Sequence, residues 1–192
     1  MHKTIKARLT GVAPLLMHNG RLADDLDEYV IQIKAITKKK VGKTADDKRL
    51  LDRLEWEGSM YWTPELGPCI PGVMIEAALI EAAKKTRQKK LAQAAIFCDE
   101  TPSRLEYPGP RDLDGLWAAK ASTMLRVGAR VQQARVMRSR PIFRQWSTEV
   151  AVHYFPEAID HSDVLTMLNH AANFVGIGDW RPKFGRFEVK IL

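Results

Sequence analysis

The chain has 192 residues, 45% of them hydrophobic, and its 30 basic and 23 acidic side chains leave a net charge of +7. This length favours one domain, predicted over residues 1–192 and in the cytoplasm. No apolar run approaches the ~18 residues of a membrane span, and the charged N-terminus lacks the apolar segment of a secretory signal. The two cysteines, Cys69 and Cys98, are too few for a zinc site, and we predict neither a metal nor a cofactor.

The first part of the chain predicts a strand followed by two helices. Ile5, Ala7 and Leu9 alternate with polar residues, which is typical of a half-buried strand over 3–10. Apolar residues spaced by three and four predict a helix over 23–38. Thr44 and Asp47 have the spacing of a capping box that opens a second helix. Both helices fall in a long insertion at about 11–69.

The remaining core elements complete an alternating order. An alanine-rich run after Ile70-Pro71-Gly72 predicts a helix over 71–87, and apolar runs predict strands over 94–98, 146–154 and 186–191. Ser162 is expected to cap a helix over 163–174 that turns Phe174 inward. The order βαββαβ predicts an α+β, ferredoxin-like (RRM-like) split βαβ sheet, with a second insertion at about 99–145.

Arginines concentrate in and beside the second insertion. We predict an irregular hairpin there, projecting from the core. Guanidinium groups bind phosphates bidentately and stack on bases, so the hairpin is a candidate contact for nucleic acid. A solvated arm or a subunit contact is the structural alternative. The six arginines, with no acid between the first and the last, are Arg126, Arg130, Arg135, Arg138, Arg140 and Arg144.

Two further basic segments are candidate contacts. The glycine-bearing loop over 176–185 combines cations, two aromatic rings and a backbone that can approach phosphates closely. Its alternative role is a tight connection whose rings cover the core. The segment over 84–90 ends the alanine-rich helix, where the helix dipole alone favours cations. The candidate residues are Trp180, Arg181, Lys183, Phe184 and Arg186 in and beside the loop, and Lys84, Lys85 and Arg87 at the end of the helix.

These features resemble the RAMP superfamily, the ferredoxin-like RNA-binding proteins of CRISPR systems, and in particular the repeating subunits that coat a guide RNA. Ile70-Pro71-Gly72 looks like that family's Pro-Gly motif, and the second insertion lies where the family carries its thumb. The segment over 175–189 looks like its C-terminal glycine-rich loop, which ends in a Gly-Arg-hydrophobic strand. The chain also resembles small phage proteins with a Gly-Ile-Gly-Asp-Trp-Arg-Pro segment.

The basic charge and the resemblance together predict sequence-tolerant binding of single-stranded RNA or DNA without catalysis. The resemblance implies a homo-oligomer along the strand, together with other effector or phage proteins, and no membrane. His18 is a candidate RNA contact in the first insertion. One alternative is a metal-dependent ribonuclease of the same fold using Asp24 or Asp25, which also suit the acidic start of a helix. Another is a phage assembly or inhibitor protein that uses the fold as an interaction surface.

Overall fold

The computed structural model describes residues 1–39, 42–131 and 134–192, with the side chains of 129–131 and 134–135 outside the description. It has an α+β fold. The helices are α1 (Glu28–Thr37), α2 (Ala45–Gly58), α3 (Gly72–Ala82), α4 (Lys89–Ala95), α5 (Leu113–Ala118), α6 (Lys120–Thr123) and α7 (His161–His170). The strands are β1 (Lys3–Gly11), β2 (Leu15–Leu16), β3 (Trp62–Thr63), β4 (Gly67–Ile70), β5 (Ile96–Cys98), β6 (Ser103–Arg104), β7 (Met124–Val131), β8 (Ala134–Phe143), β9 (Ser147–Tyr154) and β10 (Phe187–Ile191).

The chain folds into two compact units. Unit 1 comprises Met1–Leu16, Trp62–Pro108 and Phe143–Leu192, and unit 2 comprises Met17–Tyr61 and Gly109–Ile142. Unit 2 therefore consists of chain from the two insertions that the sequence predicts at about 11–69 and 99–145. The predicted core elements all belong to unit 1.

Unit 1 is built on a four-stranded sheet in the order β10-β1-β9-β5. Each neighbouring pair is antiparallel, with Ile5 opposite Val152 and Leu9 opposite Val189. The alternation of β1 buries Ile5, Ala7 and Leu9, as predicted, and leaves the intervening residues exposed. Each large apolar side chain buried in this way contributes about 1.5–3 kcal/mol to folding. The strands β3, β4 and β6 form a smaller antiparallel sheet in the same unit.

The helices α3 and α7 pack against each other in unit 1 and bury their apolar sides. Leu79 of α3 and Val164 of α7 are fully buried. Gly72, the first residue of α3, has no room for a side chain, because a Cβ there would lie 2.3 Å from the carbonyl oxygen of Asp99. The helix predicted over 71–87 thus begins where the Pro-Gly pair places it.

Unit 2 contains α1, α2, α5, α6 and the hairpin of β7 and most of β8. Thr44 and Asp47 form the predicted capping box at the start of α2, and α1 packs on α2. Trp56 of α2 is fully buried, and its indole N–H donates to the carbonyl oxygen of Thr123 at 3.0 Å. This bond ties α2 to the residue that precedes β7.

Several sequence predictions differ from the structure. The hairpin is a regular antiparallel ladder from Met124–Pro141 to Val131–Ala134, not an irregular one. Asp160, not Ser162, is the N-cap of α7, which begins at His161 and ends at His170. A π-helical turn follows over Ala171–Val175 and carries Phe174, which is 52% exposed instead of buried. The turn shifts Phe174 off the face that a continuous α-helix would give it, since its repeat is longer than 3.6 residues.

None of the helices in the described ranges is long and apolar enough to cross a membrane. Cys69 and Cys98 are free thiols. Burial raises the pKa of Cys69 to about 11 and that of Cys98 to about 12, so both are protonated at neutral pH.

Candidate nucleic-acid interface

The first group of candidate residues lies in the turn that follows α3. The 3₁₀ turn over Ala83–Thr86 carries Lys84 and Lys85 in exposed positions, and Arg87 ends it. Lys84 Nζ lies 2.5 Å from a carboxylate oxygen of Glu81, which is one turn earlier. The position beside the C-terminus of α3 is itself favourable for cations, by about 0.3–1 kcal/mol each. The helix dipole accounts for the two lysines without any ligand.

The second group lies in the C-terminal loop, where several backbone N–H groups are already hydrogen-bonded within the loop and to residues 14 and 16. The N–H groups of Ile177 and Gly185 donate to the carbonyl oxygens of Gly185 and Pro14 at 2.9 and 2.8 Å, and that of Asp179 donates to Leu16 at 2.8 Å. A Cβ on Gly185 would lie 1.7 Å from the carbonyl oxygen of Ile177. The glycine at 185 therefore permits backbone contact within the loop. The side chains, not these N–H groups, remain as candidates for contacting phosphate.

The side chains of the loop point outward in most cases. Arg181, Lys183 and Arg186 are exposed and Trp180 is 36% exposed, whereas Phe184 is only partly exposed. The ring centroids of Trp180 and Phe184 lie 6.3 Å apart, and Lys183 Nζ lies 5.7 Å from the Phe184 centroid. The loop thus presents cations beside aromatic rings, as the sequence predicts.

The structure brings the two groups to one region of unit 1. The pKa of Glu81 is lowered first by its hydrogen bond from Lys84 and further by the charges of Lys89 and Arg181. The two groups meet because the ring of Phe174, two residues before the loop, lies against Lys85 in the turn after α3. We call the region formed by Lys84, Lys85, Arg87, Phe174, Trp180 and Arg181 the basic–aromatic surface.

Phe174 is the member of this surface that the sequence does not reveal. Its exposed ring centroid lies 3.8 Å from Lys85 Nζ, a close cation–π contact worth about 0.5–1 kcal/mol at an exposed site. The apolar spacing of the helix places the residue inside. Only the π-helical turn moves it out, and no residue pattern in the sequence marks such a turn.

Two backbone conformations in the basic–aromatic surface are unusual. Among the described residues, those with positive φ that are not glycine are Arg87, at 60°, and Trp180, at 52°. Side chains other than glycine, asparagine and aspartate seldom occupy this left-handed region, and such positions concentrate at functional sites. Both residues belong to the surface that the basic and aromatic side chains define.

Two of the hairpin arginines form ion pairs with acids of α2. Arg138 forms an ion pair with the buried Glu55, whose other oxygen accepts the backbone N–H of Ser139 at 3.2 Å. Arg126 Nε lies 3.3 Å from Asp52. No acid lies between these arginines in the sequence, but the fold places two acids of α2 beside them. Both pairs reduce the positive charge that this part of the hairpin offers to a strand.

The other predicted arginines are divided between the two units. Arg140 lies in unit 2 beside Arg138, and Arg144 is exposed in unit 1, after β8. The side chains of Arg130 and Arg135 lie outside the described residues.

A pocket in unit 2 unites three predicted residues from distant segments, His18, Arg138 and Arg140. Its volume is about 460 Å³, and Lys34, Glu55 and Ser59 also line it. Burial lowers the pKa of His18, and the charges of Arg140 and Arg138 lower it further. His18 is therefore neutral at pH 7, with Nδ1 3.5 Å from the Ser59 hydroxyl.

Asp24 and Asp25 have local roles in unit 2. An Asp24 side-chain oxygen accepts the backbone N–H of Leu26 at 2.9 Å. Asp25 is 80% exposed and forms an ion pair with Lys34 at 2.7 Å. In the part of the chain that the structure describes, no three histidine, cysteine or carboxylate side chains come together as a metal site.

The chain matches no family model and no curated protein.

Proposed function

We propose that the protein binds single-stranded nucleic acid, without acting on it chemically, through the basic–aromatic surface of unit 1. The observation that carries the proposal is the exposed Phe174 ring beneath Lys85, just before the loop that carries Trp180 and Arg181. The helix dipole explains the lysines, but it does not explain an exposed ring against one of them. Cations next to exposed rings are the means by which proteins hold unpaired bases and their phosphates.

The aromatic side chains favour a single strand over a duplex. Phe174 and Trp180 expose 52% and 36% of their surface, which leaves ring area for a base to stack on. The bases of a duplex are already stacked on each other and present only their edges in the grooves. Stacking accepts every base, because every base has a π face, so we expect binding that tolerates sequence.

The sheet order supports a finer assignment of the fold within this proposal. In the order β10-β1-β9-β5, α3 lies in the chain between β1 and β5, and α7 between β9 and β10. This arrangement favours a ferredoxin-like split βαβ sheet. It agrees with the resemblance to the RAMP superfamily and with coating of a strand by successive copies. RNA and DNA both offer the phosphates and bases that this surface would hold.

The experiment compares two double variants that remove the same charge from unit 1. Lys84→Ala with Lys85→Ala changes the basic–aromatic surface, whereas Lys6→Ala with Lys190→Ala changes exposed residues of β1 and β10. Fluorescence anisotropy with a labelled mixed-sequence strand measures the affinity. We expect the first variant to bind about tenfold more weakly than the second, because two phosphate contacts are lost.

Two results would contradict the proposal. One is an equal loss of affinity in the two double variants, which would indicate a response to net charge alone. The other is the absence of strand binding by the unaltered protein at low salt, which would leave an interaction with other proteins as the better explanation. Circular dichroism of each variant checks that the fold is kept.

A further inference from the structure

The unit 2 pocket is of a size and shape that suits a small molecule. Its volume of about 460 Å³ lies within the range of ~300–1,000 Å³ that is usual for ligand sites. Leu22, Val30 and Ile33 provide an apolar side. A ligand that fills the pocket therefore needs an apolar body in addition to any charged group.

The charged side of the pocket favours the binding of an anion. Three cations line it, Lys34, Arg138 and Arg140, together with one carboxylate, Glu55, which already pairs with Arg138. Lys34 pairs with Asp25, but the Asp25 side chain is 80% exposed and an exposed ion pair contributes only about 0–1 kcal/mol. A phosphate can therefore replace Asp25 as the partner of Lys34, and a guanidinium group binds phosphate bidentately.

Neutral donors and acceptors complete the polar side. His18 and Ser59 lie next to each other in the pocket, and Asn19 holds the wall by donating to the carbonyl oxygen of Met60 at 3.3 Å. Because burial and the charges of the neighbouring arginines lower the pKa of His18 and keep the ring neutral, it offers one ring N–H and one acceptor nitrogen. A hydroxylated body such as a sugar would match these groups.

We infer that the unit 2 pocket binds a phosphate monoester the size of a nucleoside monophosphate, with the phosphate at Arg140 and Lys34 and the body against Ile33. The free nucleotide and the phosphorylated end of a strand share this chemistry. The inference does not depend on strand binding by the basic–aromatic surface, which belongs to unit 1.

The test measures binding of adenosine 5′-monophosphate to the full chain by calorimetry, with adenosine and inorganic phosphate as partial ligands. We expect the nucleotide to bind. Adenosine, which lacks the charge, and inorganic phosphate, which lacks the apolar body, should each bind at least about tenfold more weakly. Equal binding of inorganic phosphate and the nucleotide would overturn the inference, as would no nucleotide binding at millimolar concentration.

Paired variants locate the site. Ile33→Glu places a carboxylate in the pocket, whereas Ile31→Glu changes a residue of α1 that is 53% exposed and outside the pocket. Lys34→Gln and Arg140→Gln remove pocket cations, and Arg49→Gln is the matched change at an exposed residue of α2. The side chain of Lys34 is 42% exposed, so its replacement keeps the fold even if that of Arg140 does not. Loss of nucleotide binding in the pocket variants alone supports the site, and equal binding in every variant refutes it.

Competition then distinguishes the two sources of the phosphate monoester. Displacement of the nucleotide by a 5′-phosphorylated oligonucleotide, but not by the same strand with a 5′-hydroxyl, identifies the strand end as the occupant. Failure of both strands to displace the nucleotide identifies the free molecule. Displacement by the 5′-hydroxyl strand as readily as by the phosphorylated one would contradict a monoester site, because internal phosphates would then suffice.

Discussion

Phe174 illustrates how a single residue becomes exposed when its backbone leaves the α-helical repeat. The π-helical turn over Ala171–Val175 exposes its ring next to Lys85. We interpret the position as a stacking site for a base.

Replacing Phe174 by alanine tests this interpretation. Stacking on one base is worth about 1–3 kcal/mol, so we expect the affinity for a single strand to fall roughly fivefold to a hundredfold. Phe155→Ala is the control, because Phe155 is 40% exposed in unit 1 and packs on Phe97, with ring centroids 5.7 Å apart. Anisotropy titrations that show equal losses for the two variants would remove Phe174 from the interface.

His18 provides a residue-scale test of the unit 2 pocket. Burial lowers its pKa below the ordinary 6.5, and Arg140 and Arg138 lower it further. Lys34, Glu55 and Ser59 are the other charged and polar groups that face it, from α1 and from the end of α2. We expect its NMR titration midpoint to lie below 6.5 and to rise in Arg140→Gln, while Arg49→Gln leaves it unchanged.

The sign of the accompanying stability change follows from proton linkage. Between the two pKa values the unfolded chain binds more protons at His18 than the folded chain does. The contribution of His18 to stability is therefore complete above about pH 6.5 and is lost as the pH falls through the folded pKa. A midpoint at or above 6.5 would mean that the ring is not held beside the two arginines.

Elements with their own local signals are the ones that the sequence predicts well. The alternation of β1, the capping box of α2 and the alanine-rich α3 all appear where expected. Each signal consists of residues within one turn or one strand. Local signals of this kind survive folding because burial and capping act on the same residues that display them.

The boundaries of helices and strands are not predicted where they depend on contacts with distant parts of the chain. The helix predicted to run to residue 87 ends at Ala82, and a 3₁₀ turn, a left-handed Arg87 and α4 follow. The strand predicted from residue 94 begins at Ile96, because the preceding alanines complete α4. Alanine and lysine fit all of these conformations, so composition does not mark the boundaries.

The sequence does not reveal which side chains of the candidate site come together in the fold. Asp52 and Glu55 lie 74 and 83 positions before the arginines that they meet, Arg126 and Arg138. Charge counted along the chain therefore overstates the positive charge of the hairpin. The convergence of the C-terminal loop with the turn after α3 is equally invisible, since it depends on how α7 packs against α3.

At the scale of the whole molecule, the proposal implies several copies on a long strand. A module of this size covers roughly 4–16 nucleotides, so longer strands need repeated head-to-tail contacts. We expect the mass of the complex, measured by light scattering after size-exclusion chromatography, to increase with strand length. A mass that stays at one protomer on every strand would exclude coating while leaving simple binding intact.

The salt dependence of strand binding tests the central claim most directly. Each phosphate contact on a single strand contributes about 0.7 to the slope of log affinity against log salt, so Lys84→Ala with Lys85→Ala should make the slope shallower by about 1.4 than in Lys6→Ala with Lys190→Ala. We predict this difference, with affinity that falls steeply as salt rises in the unaltered protein. Equal slopes in the two double variants, or binding that does not respond to salt, would contradict strand binding by the basic–aromatic surface.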